Sequence, residues 1–456
     1  MTEPEPFKIK MVRSLERLSR KERKKKIEEA GYNVFKLRSD DVFIDLLTDS
    51  GTTAMSDKQY SEMLDTEQAY AGSDSFYDLE KAVKNIFGFD RFVIVHQGRA
   101  AENVLFSILV DEGDYVPNNM HFDTTRANVK HKGGEPVDLV IEEAYDPSKR
   151  MDFKGDMDID RLEEFIEEKG PENVPLVMLT ITNNTGGGQP VSMQNIKEVS
   201  EVADQYDIPF FFDACRFAEN AYFIKQREKG YENKSVEEIT EEMFSYVDGF
   251  TFSAKKEGLV NIGGLIGVKD EELHRKCKNL SIIVEGFPTY GGLACREVSA
   301  MAQGLKEVTK EEYQQYRREQ VQFLADELLE EGVPIIEPAG GHAVFVDADR
   351  FLPDIPPRNF PAQALTTELY KDSGVRAVEL GTSAFGEKDE EGNIIPAEME
   401  TMRLAIPRRV YTLNQLKYVA RSVGELYDKR DEISGLRRTY APELLGHFTA
   451  EFEPID

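Results

Sequence analysis

From residue 75 onward the chain alternates short apolar runs with stretches of helical periodicity, and this alternation restricts its fold most. Arg91–His96 (RFVIVH), Val174–Ile181 (VPLVMLTI), Ile208–Phe212 (IPFFF) and Val247–Phe252 read as buried strands. Between them, Ile159, Leu162, Phe165 and Ile166 recur at helical spacing before Gly170, and Ile196, Val199 and Ala203 do so after Pro190. Strands alternating with helices of this length predict an α/β fold, with a mostly parallel sheet covered by helices on both faces. Around residue 310 the texture changes. Tyr313, Tyr316, Val321, Leu324 and Leu328 predict a long amphipathic helix stopped by Gly332 and Pro334. HAVFVDA (342–348) and TMRLAIP (401–407) follow as short strands. The expected division is an N-terminal arm with part of a small domain over 1–55, a large domain over 56–310, and a small α+β domain over 311–456. Whether the arm packs on the small domain or on a neighbouring subunit is open at this stage.

Composition narrows the partners. The chain has 456 residues, with 85 Asp plus Glu against 56 Lys plus Arg and a net charge of −29. Phosphates repel such a surface, which argues against nucleic acid and anionic membranes. The basic run Arg20–Lys26 stands alone and reads as a solvated helix face. No apolar stretch is long enough to span a bilayer. The start, MTEPEPFKIK, lacks an apolar signal core, and Cys215, Cys277 and Cys295 are too few for a disulfide framework. A cytoplasmic protein with reduced thiols is expected. The acidity fits either an ordinary acidic protein or adaptation to a saline cytoplasm, where salt screens the self-repulsion.

In an open parallel sheet, ligands bind beyond the carboxyl ends of the strands. The residues expected there are Gln97, Gly98 and Arg99, then Asn184, then Asp213 and Arg216, then Ser253, Lys255 and Lys256. The set lacks a GxSxG elbow, a GxxxxGK[ST] loop, an HxxxH pair and a CxxC pair, so hydrolase, nucleotide and structural-zinc readings lose support. A lysine and an aspartate at neighbouring strand ends suit pyridoxal phosphate. The lysine forms a Schiff base with the aldehyde, and the aspartate keeps the pyridine nitrogen protonated. A glycine turn opening a helix supplies amide N–H groups for the phosphate. Each piece has a plainer reading as well: a strand-terminal Asp as a cap, and Lys255–Lys256 as a solvated pair.

The stretches DLLTDSGT (45–52), AYAGS (69–73), HQGRAAEN (96–103), GGQPVS (187–192), DACRFAENAYFIKQRE (213–228), SAKK (253–256), EGFPTYGGL (285–293), GGHAVF (340–345) and HFTA (447–450) resemble the tryptophanase and tyrosine phenol-lyase family over nearly the whole chain. The resemblance implies a fold-type I pyridoxal-phosphate enzyme, a homotetramer of catalytic dimers with shared sites, and a potassium requirement. It implies Lys256 as the Schiff-base lysine and α-proton base, Asp213 on the pyridine nitrogen, and Phe122 stacked on the ring. Gln97, Gly98, Arg99 and Ser253 would hold the phosphate, Lys255 would lie near it, and Arg216 would touch the 3′-oxygen. Arg403 would clamp the substrate carboxylate with Ser50 and Asn184. Tyr70 would reach in from the partner subunit. The cation would take the carbonyls of Gly51 and Asn261 and the side chain of Gln68, where the family has Glu.

Three positions separate the branches. The phenol-lyases carry Thr, Arg and Phe where this chain has Asp123, Leu380 and His447. These residues imply elimination of L-tryptophan to indole, pyruvate and ammonia, with Asp123 accepting the indole N–H. The alternative is the tyrosine branch. Rivals of another class are a fold-type I aminotransferase and a catalytically silent scaffold. Without the resemblance, Asp123 reads as a helix N-cap, His447 as an ordered surface imidazole and Leu380 as core.

Overall fold

The computed structural model describes residues 4–389, 391–442 and 444–455. Its central sheet has five strands in the spatial order Phe92–Val95, Gly264–Val268, Gly249–Ser253, Phe210–Asp213 and Val177–Thr180. Four strands run the same way. Gly264–Val268 is antiparallel to both of its neighbours. It escaped the sequence reading because Gly264 and Gly267 break its apolar run. Those glycines are required: a Cβ at 264 would lie 2.7 Å from the backbone carbon of Gln97, and one at 267 would enter the Phe250 ring. A separate parallel pair, Tyr115–Asn118 with Glu135–Asp138, also went unread because each carries a proline and polar residues.

The core strands are buried on both faces because helices cover both. Helix Gly98–Leu109 packs Ala101, Val104 and Leu105 with Val93, Val95 and Ile266. On the opposite face, Phe87, Phe217, Phe244, Phe250 and Phe252 form an aromatic cluster with ring centroids 4.7–6.0 Å apart in tilted and edge-to-face pairs. The predicted helices are present as Ile159–Lys169, Met193–Gln205 and Glu311–Glu330.

A second core gathers Val321, Leu324 and Leu328 with Val344, Val346, Met402, Leu404 and Val419. It surrounds a three-stranded antiparallel sheet in which Thr401–Ala405 lies between Val378–Leu380 and Ala343–Asp347. The arm joins this core within the same chain. Ile44 and Asp45 pair in parallel with Val375 and Arg376, and helix Arg20–Glu29 lies on the layer that includes Pro361–Ser373. Arg23 fixes that helix by donating to the carbonyls of Lys371 and Asp372. The basic run thus supplies one buried anchor, while Lys24 and Lys25 stay exposed as a solvated face.

Candidate active site

Several chain segments converge where the parallel strands end. Strand Phe210–Asp213 delivers Asp213, which is buried; its Oδ1 accepts from the backbone N–H of Cys215 at 3.3 Å. The adjacent strand ends at Ser253, and the next turn carries Lys255 and Lys256. The Lys256 amine lies 3.9 Å from the Cys215 thiol and has no ion pair among the described residues. Cys215 was not anticipated. Its Sγ also accepts from the Ser253 N–H, so it spaces the two strand ends. Burial, followed by the charge of Asp213, pushes its thiol pKa up, so it stays protonated.

Gln97 is the N-cap of helix Gly98–Leu109, whose first turn points its free N–H groups at the same region. Gly98 is required there, since a Cβ would sit 2.6 Å from the Ser253 Cβ. Lys255 lies 3.5 Å from Gln97 Oε1. Burial first, then the nearby Lys256 and Arg99 charges, lower the Lys255 pKa. A helix N-terminus, Arg99 and an under-neutralised lysine around a residue with no side chain form a seat for a dianion. With an amine on one side and a buried carboxylate on the other, these residues fit pyridoxal phosphate.

The same helix carries an unforeseen buried acid, Glu102. It accepts from Thr125 Oγ1 at 2.6 Å and Asn128 Nδ2 at 3.1 Å, tying the phosphate-side helix to helix Asp123–His131. Burial and then the Asp213 charge push its pKa up to about 7. Phe122 is the N-cap of the second helix, so Asp123 is its first helical residue rather than its cap. Asp123 Oδ1 accepts from the Thr124 N–H at 2.6 Å, and Oδ2 pairs with His447 Nε2 at 3.1 Å. Both residues are buried, so His447 is not at the surface. Asn33 of the arm holds the His447 segment by donating to the carbonyls of His447 and Ala450. Leu380 is buried in an apolar cluster with Met120, Val378 and Phe345, against which Phe122 and Phe35 also pack.

Arg403 lies on strand Thr401–Ala405 and is buried. It donates to Asn184 Oδ1 at 3.1 Å and the Leu47 carbonyl at 3.2 Å, while its Nε has no partner. No carboxylate among the described residues bonds to it. Burial lowers its pKa to about 10, the mark of a cation short of an anion. Arg216 differs: its Nε and Nη2 grip Asp49 at 3.0 and 2.8 Å. Its Nη1 makes no hydrogen bond among the described residues. Arg408 links Asp49 to Glu219, each at 2.8 Å, and Arg317 reaches Glu219 at 3.3 Å. Asp49, Glu219, Arg317 and Arg408 were not picked out from sequence, although Asp49 and Glu219 lie inside the quoted motifs. The ion pair with Arg216 pins Asp49, the residue that precedes Ser50.

Gly51 joins this cluster, its N–H donating to the Lys255 carbonyl at 2.6 Å, while Tyr70 and Gln68 make their contacts elsewhere. Tyr70 is 73% exposed, with its ring against Phe287 and Tyr290. Gln68 Oε1 accepts from the Cys295 N–H at 3.0 Å. The Gly51 carbonyl accepts from Asn261 Nδ2 at 3.0 Å. Within one chain, the oxygens of Gln68 and Gly51 are therefore already engaged.

A profile of the β-eliminating lyases matches residues 45–422. The chain belongs to the β-eliminating lyase family. A tryptophanase of Salinibacter ruber is 50% identical over 450 residues, covering 99% of this chain and 95% of its own. A tyrosine phenol-lyase of Symbiobacterium sp. is also 50% identical over 451 residues, covering 99% and 98%. Among solved structures, a SepCysS–SepCysE N-terminal domain complex aligns with a TM-score of 0.55 at 15% identity, over 86% of this chain and 96% of that one, a likeness of fold. This lyase is thus a fold-type I enzyme, and family and fold together imply pyridoxal phosphate. No helix among its described residues is long and apolar enough to cross a membrane.

Proposed function

We propose that this lyase eliminates the side chain of L-tryptophan to give indole, pyruvate and ammonia. The observation that carries the reading is the buried Asp123–His447 pair at the head of a helix whose neighbouring Phe122 shares an apolar cluster with Leu380. An indole presents a flat apolar face and a single N–H donor. Leu380 suits the face and the Asp123 carboxylate suits the donor. A phenol-binding arginine is absent at position 380. The tyrosine reading stands beside it because a tyrosine phenol-lyase is just as similar.

Arg403 would bind the substrate carboxylate with its unpartnered Nε edge, and Asn184 and Ser50 would complete the clamp. Lys256 Nζ, free of any ion pair among the described residues, would remove the α-proton. When bound, pyridoxal phosphate supplies a conjugated ring that disperses the charge left on Cα. Asp213 would hold the proton on the ring nitrogen, Arg216 would face the 3′-oxygen and Phe122 the ring. Gln97, Gly98, Arg99, Ser253 and Lys255 would seat the phosphate. Asp123, held by His447, would draw on the indole N–H as the leaving carbon is protonated. Tyr70, exposed on this chain, is assigned to that protonation in the site of a second copy. Assembly as a homotetramer of catalytic dimers in the cytoplasm is part of the proposal, supported by exposed Leu64, Tyr70, Ile283 and Val12. A potassium ion would use carbonyl oxygens of Gly51 and Asn261, with Gln68 contributed across that interface.

The test is an assay of purified protein with added pyridoxal phosphate, in KCl and in NaCl, supplying L-tryptophan and L-tyrosine separately. Indole equimolar with pyruvate, from tryptophan and faster in KCl, is expected. Phenol from tyrosine with no indole would overturn the branch assignment.

A further inference from the structure

Two buried glutamates lie beside Leu380: Glu379 precedes it in the chain, and Glu400 precedes Thr401, its partner on the neighbouring strand. Glu379 and Glu400 are each 2% exposed. Both turn their carboxyls onto one short segment. Glu379 Oε1 accepts from the Ser383 N–H at 2.9 Å, and Glu400 Oε1 accepts from the Thr382 N–H at 2.7 Å. Their second oxygens, Glu379 Oε2 and Glu400 Oε2, are buried without a hydrogen-bond partner. Gly381 lies between them. A Cβ there would be 2.5 Å from Glu400 Oε2 and 3.1 Å from Glu379 Oε1, so both carboxyls crowd one point. No described cation pairs with either. The charged groups nearby are Asp349, which faces Glu400, and Arg438, which senses Glu379 but lies over the Phe360 ring.

Two carboxylates cannot both stay ionised at such a spot without a counter-charge, whereas one proton held by the pair removes their repulsion. The segment they grip is placed to matter. Thr401 Oγ1 donates to the Leu380 carbonyl at 2.8 Å, and Thr382 Oγ1 accepts from the Ala397 N–H at 3.1 Å. Beyond it, hairpin strands Glu387–Lys388 and Ile394–Ile395 reach back through Glu387 to Lys130, on the helix that begins with Asp123.

We propose that Glu379 and Glu400 are positioning residues that share one proton, and that this protonated pair holds the turn Gly381–Gly386 so that Leu380 forms the wall against the substrate ring. The placement of the ring rests on the proposed function; the shared proton does not. Burial pushes both carboxyls above the ordinary glutamate range, with the charge of Glu400 adding to the effect on Glu379 and that of Asp349 adding to the effect on Glu400. A carboxyl whose native pKa is raised stabilises the fold fully below the unfolded value, and that contribution is lost as pH rises through the native value.

The experiment uses the loaded enzyme and Glu400→Gln, with Glu379→Gln as the second variant. An amide donates a permanent hydrogen bond to the remaining carboxylate and so replaces the proton. Thermal unfolding is followed from pH 6 to 9, together with KM for L-tryptophan and for S-methyl-L-cysteine, which has no ring. The expected result is a wild-type Tm that falls toward pH 9 more steeply than in either variant. The tryptophan KM rises toward pH 9 roughly tenfold relative to that of S-methyl-L-cysteine, and the rise is lost in the variants. Equal Tm slopes in all three proteins would overturn the shared proton. A flattened Tm slope with an unchanged KM ratio would overturn the positioning role. If tryptophan is not a substrate the proposed function fails, and the Tm comparison with the KM for L-tyrosine still decides the pair.

Discussion

Arg403 shows most directly how surroundings define a ligand. A guanidinium that is buried, held by an amide and a carbonyl and left with a bare Nε lacks only a planar anion. Arg216 has the same chemistry and its Nε and Nη2 are already spent on Asp49. The Asp123–His447 contact is equally specific. Neither residue is remarkable alone, and 324 residues apart in sequence they have no reason to be paired until the chain folds. Asp123→Ala should depress tryptophan turnover by about 10²–10⁴-fold, the range for removing a positioned acid–base group. Elimination from S-methyl-L-cysteine, whose leaving group needs no ring contact, should change far less. Steady-state kinetics with both substrates reads this, and equal losses would remove Asp123 from ring recognition.

At the scale of elements, the proposed phosphate seat is one junction: the N-terminus of helix Gly98–Leu109 against the end of strand Gly249–Ser253. The motif HQGRAAEN made that helix start legible, because a polar N-cap and a glycine precede an apolar periodic run. What the motif could not say is how close Ser253 would come. Gly98→Ala should push the two apart and weaken cofactor binding at least tenfold. Titration of the apoenzyme with pyridoxal phosphate, followed by absorbance, measures it. Unchanged affinity would mean that the helix start does not carry the phosphate. The strand Gly264–Val268 teaches the converse. Its identity depends on glycines that let Phe250 and Gln97 approach, and a glycine-rich run has no alternation to read.

Across the whole molecule, buried charge joins what sequence keeps apart. Arg408 reaches Asp49, from the arm segment, and Glu219, from the helix after the Asp213 strand. Burial opposes its charge, yet Glu219 and Asp49 raise its pKa, so it stays a cation inside the core. Removing Arg408 leaves Asp49 with Arg216 and Glu219 with Arg317, each buried carboxylate short of one cation. Arg408→Met should therefore cost about 3–5 kcal/mol of stability. It should also raise KM for substrate, because Asp49, held by Arg216 alone, would fix the neighbouring Ser50 less firmly. Thermal unfolding and steady-state kinetics together test this, and a variant as stable as the parent would show that the network is dispensable.

The strand–helix alternation fixed the α/β class, because burial on both faces of a sheet demands apolar runs of that length whatever the rest of the chain does. Quoted motifs likewise placed Lys256, Asp213 and Gly98 at strand or helix ends, where short-range geometry decides position. The rest depended on tertiary structure. The arm's choice of partner, the Asp123–His447 pair, the Asp49–Arg408–Glu219 chain and the Glu379–Glu400 pair all join residues distant in sequence or meaningful only when dehydrated. Burial is what gives a charge its energy and its need for a partner, and burial exists only after the chain has folded.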